Sequence, residues 1–203
     1  VALLIAFEAF TQGPLSLNVG LWKAPLGIAL AVDKMSALFL SAASISTFLA
    51  VAYGYAETPA RRSHPLRGPL IQFLAAGVSL AFITGDLFNL FVAFEVLLIS
   101  SYALMTLEAE NAAIRHAFPY LAINLFGSTL CVSACGLAYS LFGTLNFADM
   151  GVRAASMAGD PRETALALML VLVFGLKAGM FPLFYWLPDS YPMMPGALVA
   201  LYS

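Results

Sequence analysis

A lysine and a glutamate, each set in otherwise uncharged apolar sequence, are the residues with the most chemistry to offer. Lys177 stands inside the run 164–188 and Glu95 inside the run 88–107. Each run is long enough to cross a bilayer as a helix, which needs about 20 residues. A lysine in the middle of such a span costs roughly 2.5–3.5 kcal/mol on insertion scales, and it does nothing for packing that leucine would not do better. Glu95 follows Asp86 by roughly 13–14 Å along a helix rising 1.5 Å per residue, well inside the hydrocarbon region. Burial and a neighbouring opposite charge act in opposing senses on proton affinity, so two such groups are the ingredients of a site that takes up and releases a proton. The plainer alternative is a static buried ion pair, which an apolar pair would usually match in stability.

The neighbourhood of the lysine is Gly175-Leu176-Lys177-Ala178-Gly179-Met180-Phe181-Pro182. Gly175 and Gly179 form a small-residue face against which another helix can pack closely. Pro182 has no N–H for the carbonyl of Ala178 and its ring clashes there, so a helix break is expected near Lys177. A broken helix beside a mid-membrane charge exposes backbone carbonyls and admits water in many transporters. Three further polar residues are accessory candidates. Asp86, in Gly85-Asp86, suits a cap at a junction between spans more than a cation pathway. His116 reads as interfacial beside Arg115, and Asp189 as a turn or cap at the membrane edge, with a place at an ion entrance as the alternative. Cys131 and Cys135, at i and i+4 in an apolar run, read as small packing residues, because helical geometry suits a disulfide poorly.

These residues must be held by membrane-spanning helices. The chain has 203 residues, 62% of them hydrophobic and 10% charged, with a net charge of −2 and a mean hydropathy of +0.91. Soluble domains carry about 25% charged residues, so the fold class is all-α integral membrane protein, a polytopic bundle. The weak charge offers no footprint for nucleic acid. Phosphate-binding loops, metal-ligand clusters and nucleophile–base pairs at readable spacing are not found, and no cofactor or enzymatic activity is called for.

Polar breaks divide the chain into 1–10, the end of a span; spans at 35–56, 70–86, 88–107, 117–142 and 164–188; and 196–203, the start of another. The whole reads as one membrane domain, an interior piece of a longer subunit. Apolar residues alternate along 15–32 on both sides of Trp22-Lys23-Ala24-Pro25, which predicts a small β-hairpin outside the membrane. Asp33 is placed to cap the helix after it. The segments 57–69, 108–116 and 143–163 read as loops. Arg61, Arg62 and Arg67 form the densest basic cluster, which assigns their side to the cytoplasm.

Several stretches together resemble a known family. Thr84-Gly85-Asp86-Leu87-Phe88-Asn89-Leu90-Phe91-Val92-Ala93-Phe94-Glu95-Val96-Leu97-Leu98 is similar to the glutamate helix of the D-type subunits of Mrp-type multisubunit sodium/proton antiporters. The likeness continues through Phe142-Gly143-Thr144-Leu145-Asn146-Phe147-Ala148-Asp149, the glycine–lysine stretch through Leu183, and Trp186-Leu187-Pro188-Asp189-Ser190-Tyr191-Pro192. Met193-Met194 departs from the small or proline-rich residues expected there. The family is similar in turn to antiporter-like subunits of respiratory complex I and of membrane-bound hydrogenases. The resemblance implies that Glu95 and Lys177 are paired proton-path residues in a subunit of about fourteen helices. It also implies partner subunits of the A, B, C, E, F and G types, H⁺ and Na⁺ as transported ions, and a multi-pass place in a prokaryotic cell membrane with the hairpin on the outer face. The alternative within this resemblance is a proton-pumping subunit of a redox complex.

Overall fold

The computed structural model describes residues 1–57, 64–107, 111–157, 159–193 and 196–202, without the side chains of Glu57, residues 111–116, Asp189 and Met193. Arg61 and Arg62, on which the orientation rests, lie outside the described residues. The chain is mostly helical with one two-stranded sheet. Helix α1 (Ala2–Gln12) leads into strands β1 (Leu15–Asn18) and β2 (Ala29–Val32). The strands pair antiparallel with Leu15 opposite Val32 and Asn18 opposite Ala29, as the alternating apolar residues predict. Gly27 allows the hairpin end to close, since a Cβ there would collide with the Trp22 carbonyl.

Helix α2 (Lys34–Glu57) starts on a reciprocal cap. The Asp33 carboxylate accepts from the Ser36 N–H at 2.7 Å, and the Ser36 hydroxyl accepts from the Asp33 N–H at 2.9 Å. Helices α3 (Arg67–Ile83) and α4 (Leu87–Leu107) then form a tight antiparallel pair. Gly77 makes the close approach possible: a Cβ there would stand 3.0 Å from the Leu97 nitrogen and 3.1 Å from the Ala93 carbonyl. Helix α5 (Asn111–Phe142) packs against α4 and against α7 (Pro161–Lys177). Leu87, Ala134, Cys135, Ala138, Phe142 and Leu166 form a core at one end of this trio.

That end is sewn together by backbone hydrogen bonds. The Gly85 N–H donates to the Ala29 carbonyl of the hairpin, the Leu87 N–H to Leu145, and the Phe147 N–H to Gly85. The hairpin, the α3–α4 turn and the segment after α5 therefore fix one another, and with them the depth of α4 and α5.

Three segments differ from expectation. Residues 111–116, expected in the loop 108–116, already belong to helix α5. The stretch 143–163 contains a helix, α6 (Phe147–Ala155), where a loop was expected. Asn146 caps it by accepting from the Ala148 and Asp149 N–H groups, and Arg153 donates to the Phe142 carbonyl at the end of α5. Its few apolar residues were outweighed in the hydropathy pattern by Asp149 and Arg153. The expected span 164–188 is not one helix either. Helix α7 stops at Lys177, a turn segment follows, and the chain resumes as α8 (Trp186–Ser190) and α9 (Gly196–Tyr202). Among the described residues, three helical stretches are long and apolar enough to cross a membrane: Lys34–Ala56, Leu87–Leu107 and Ala117–Phe142.

Candidate functional site

Lys177 is the last residue of α7, and the way the helix ends decides where its side chain goes. Gly179 adopts the left-handed conformation, φ 61°. The Gly179 N–H donates to Leu176 at 3.3 Å and the Met180 N–H to Gly175 at 2.8 Å. This pattern satisfies the last carbonyls of a helix and favours glycine at the left-handed position. The helix thus ends through Gly179, ahead of Pro182, which lies in the turn segment beyond it. The expected small-residue face is corrected in the same way. Gly179 is off the helix, and a Cβ on Gly175 would meet Met180 and Leu183 of the turn, so Gly175 accommodates the chain folding back instead of another helix. The carbonyls of Phe174, Gly175 and Leu176 are occupied, and Leu176 also accepts from the indole N–H of the buried Trp186 at 3.3 Å. A cation at a helix C-terminus is favoured by the helix dipole, and Lys177 has that position.

From there the lysine reaches toward α4 and α5. Its Nζ donates to the Ser128 hydroxyl of α5 at 3.3 Å and stands 5.0 Å from the centre of the Phe94 ring of α4. Both contacts suit an ammonium, the second through the negative face of the ring. Ser128 is buried, on a stripe of α5 with Asn124, Cys131 and Cys135, all of them buried. Lys177 also borders a cleft of about 920 Å³ between α2, α3, α4 and α9, which Asn124 and Tyr120 line as well.

Glu95 lies next to Phe94 in sequence and within electrostatic range of Lys177 and of Cys131. No ion pair joins it to the lysine; among the described residues the ion pair is Arg162–Asp160, at the start of α7. Glu95 Oε1 is buried and has no hydrogen-bond partner, unlike every other buried side-chain nitrogen or oxygen among the described residues. Ser128 and Phe94 as the lysine's contacts were not legible in the sequence, although the i, i+4 spacing of Asn124 and Ser128 marks a polar stripe.

The accessory candidates fall elsewhere. Asp86 caps α4, its Oδ1 accepting from the Asn89 N–H at 2.9 Å, at the sewn end of the bundle. The Asn89 amide in turn donates to the Thr84 hydroxyl at 2.9 Å. His116 falls in α5 and Asp189 in α8, and their side chains lie outside the described residues. Groups of three or more potential metal-ligating side chains are not found among the described residues.

Comparison with known proteins agrees with this architecture. A family model described as NADH:quinone oxidoreductase/Mrp antiporter, TM, matches residues 84–203. The chain is 41% identical over 194 residues to the D-type Na(+)/H(+) antiporter subunit of Bacillus subtilis (strain 168), a match covering 96% of this chain and 39% of that protein. The Mrp complex from Dietzia sp. DQ12-45-1b contains a chain similar at TM-score 0.82 and 27% identity, over 99% of this chain and 38% of that one. The membrane-bound sulfane sulfur reductase, an archaeal respiratory membrane complex, contains another at TM-score 0.81 and 28% identity, over 98% and 41%. The chain therefore spans about two fifths of the length of these proteins. With the family match running from the start of the α4 segment onward, the chain belongs to the NADH:quinone oxidoreductase/Mrp antiporter family of integral membrane proteins.

Proposed function

We propose that this chain is the proton-handling part of the D-type subunit in a multisubunit Na⁺/H⁺ antiporter, with Glu95 and Lys177 as the groups that take up and release the proton. The observation that supports this reading is a buried Glu95 Oε1 without a hydrogen-bond partner, together with a lysine in its electrostatic range that is held by a hydroxyl and a ring instead of by a carboxylate. A structural ion pair would close that gap; a site that changes protonation state has a reason to leave it open. The end of α7 at Lys177 and the cleft beside it supply a route for water to the ammonium. In this reading the protein crosses a prokaryotic cell membrane several times, with α3 and the α7–α8 segment counted among the crossings. It assembles with the small subunits of the A, B, C, E, F and G types and acts as a transporter subunit without a chemical reaction of its own. The identity to a named Na(+)/H(+) antiporter subunit supports the choice of Na⁺ as the exchanged ion.

The test is Na⁺-dependent proton flux in vesicles bearing the complete complex. Lys177→Ala should abolish coupled exchange while assembly survives, because removing an intramembrane charge lowers the cost of insertion. Lys177→Arg should fail as well, since a guanidinium does not release its proton. Wild-type exchange in assembled Lys177→Ala would refute the assignment.

A second reading, a proton-pumping subunit of a redox complex, is favoured by the likeness to the sulfane sulfur reductase complex. Proton flux that requires an electron donor and ignores Na⁺ would select it.

A further inference from the structure

The hydrogen bonds around Lys177 are unbalanced in a complementary way. Serines 41, 44, 79, 100 and 133 each donate their hydroxyl proton to the carbonyl four residues back in their own helix. Ser128 does not. Its Oγ accepts from Lys177 Nζ, and among the described residues its hydroxyl makes no bond to α5. The Asn124 side chain, one turn away, is committed to the Tyr120 carbonyl. Ser128 thus has a proton with no acceptor, and Glu95 Oε1 is a buried acceptor with no donor. Ser128 touches the Lys177 ammonium, and Glu95 lies within electrostatic range of it. Cys131, the next residue of the α5 stripe, lies in electrostatic range of both Lys177 and Glu95.

We propose that Ser128 is the proton relay between Lys177 and Glu95. The Lys177 ammonium passes a proton to Ser128 Oγ as the hydroxyl releases its own toward Glu95 Oε1, directly or through one water. One N–H bond breaks, an O–H bond forms on serine, the original serine O–H breaks and a carboxyl O–H forms. Lys177 ends neutral, Glu95 ends protonated, and serine is unchanged. A hydroxyl suits this step because it is donor and acceptor at once. The Phe94 ring accepts no proton, so it holds the ammonium without competing for it. This inference rests on the proposed roles of Glu95 and Lys177 and adds a group that neither composition nor charge marks out.

The experiment compares Ser128→Ala, Ser128→Thr and Lys177→Ala in the full-length subunit within its assembled complex, with proton flux measured in H₂O and D₂O. Ser128→Ala should lower flux by at least about tenfold, less than the full contribution of a general acid–base group, and should enlarge the solvent isotope effect because proton transfer becomes limiting. Ser128→Thr keeps the hydroxyl and should restore most of the flux. Wild-type flux in Ser128→Ala together with loss in Lys177→Ala would overturn the relay and leave the pair standing. Wild-type flux in Lys177→Ala would overturn both. Equal loss in the alanine and threonine variants, with an unchanged isotope effect, would make Ser128 a packing residue and also overturn the relay.

Discussion

Helix α4 carries two carboxylates that meet burial in opposite ways. Asp86, at its start, is buried and satisfied: it caps the helix and sits in a web of backbone bonds joining the hairpin, the α3–α4 turn and the segment after α5. Glu95, further along the same helix, leaves an oxygen buried without a partner. An unsatisfied buried polar group costs free energy, and a fold that supplies one acid with a donor has no general inability to supply another. In the proposed function, the difference separates an acid that holds the structure from one that the structure holds ready.

The contrast can be broken most directly at Glu95. Glu95→Gln keeps the shape and removes the charge. Na⁺-dependent flux should fall by about 100-fold, within the range for loss of an acid–base group, while the melting temperature of the purified complex stays level or rises. A marked fall in melting temperature with flux retained would make Glu95 structural and dissolve the distinction.

The reverse result is expected at Asp86. Asp86→Ala should destabilise the protein by about 0.5–2 kcal/mol, the usual loss for a helix cap, measured as a lower melting temperature or denaturant midpoint. Flux per assembled complex should remain near wild type. Loss of flux with stability intact would move Asp86 from the frame into the ion path.

The smallest effect is expected at a third carboxylate, Asp160, which is partly exposed at the start of α7 beside the exposed Arg162. The Arg162 side chain and N–H hold its carboxyl below the usual carboxylate range. A lowered folded-state value means that the contribution is complete above the ordinary value and is lost as pH falls through the lowered one. Hydrogen exchange at the Arg162, Glu163 and Thr164 amides should therefore show α7 fraying only in acid, after correction for intrinsic exchange. Exposure keeps the effect small. Fraying that sets in near neutral pH would contradict this account.

Much of the framework was readable because local rules act on local sequence. Long apolar runs such as the one around Glu95 announce helices, alternation at 15–32 announces paired strands, and Asp33 announces a cap. Helix α6 was missed because a short amphipathic helix between spans carries too few apolar residues to stand out against the membrane segments. The break at the end of α7 was attributed to Pro182 because proline is the louder signal. A glycine free to adopt the left-handed conformation ends a helix just as well, and Gly179 comes first in the chain.

What the sequence determined alone was the presence of a lysine and a glutamate in apolar surroundings, since that follows from composition along the chain and the cost of placing charge in hydrocarbon. What only the tertiary structure decided was how those charges are met. Lys177 finds Ser128 on α5 and Phe94 on α4, Asp86 finds its place at the sewn end of the bundle, and Glu95 Oε1 is left without a donor. Hydrogen bonds join atoms within about 3 Å of one another, and helices distant in sequence come that close only after packing has set their depth and rotation.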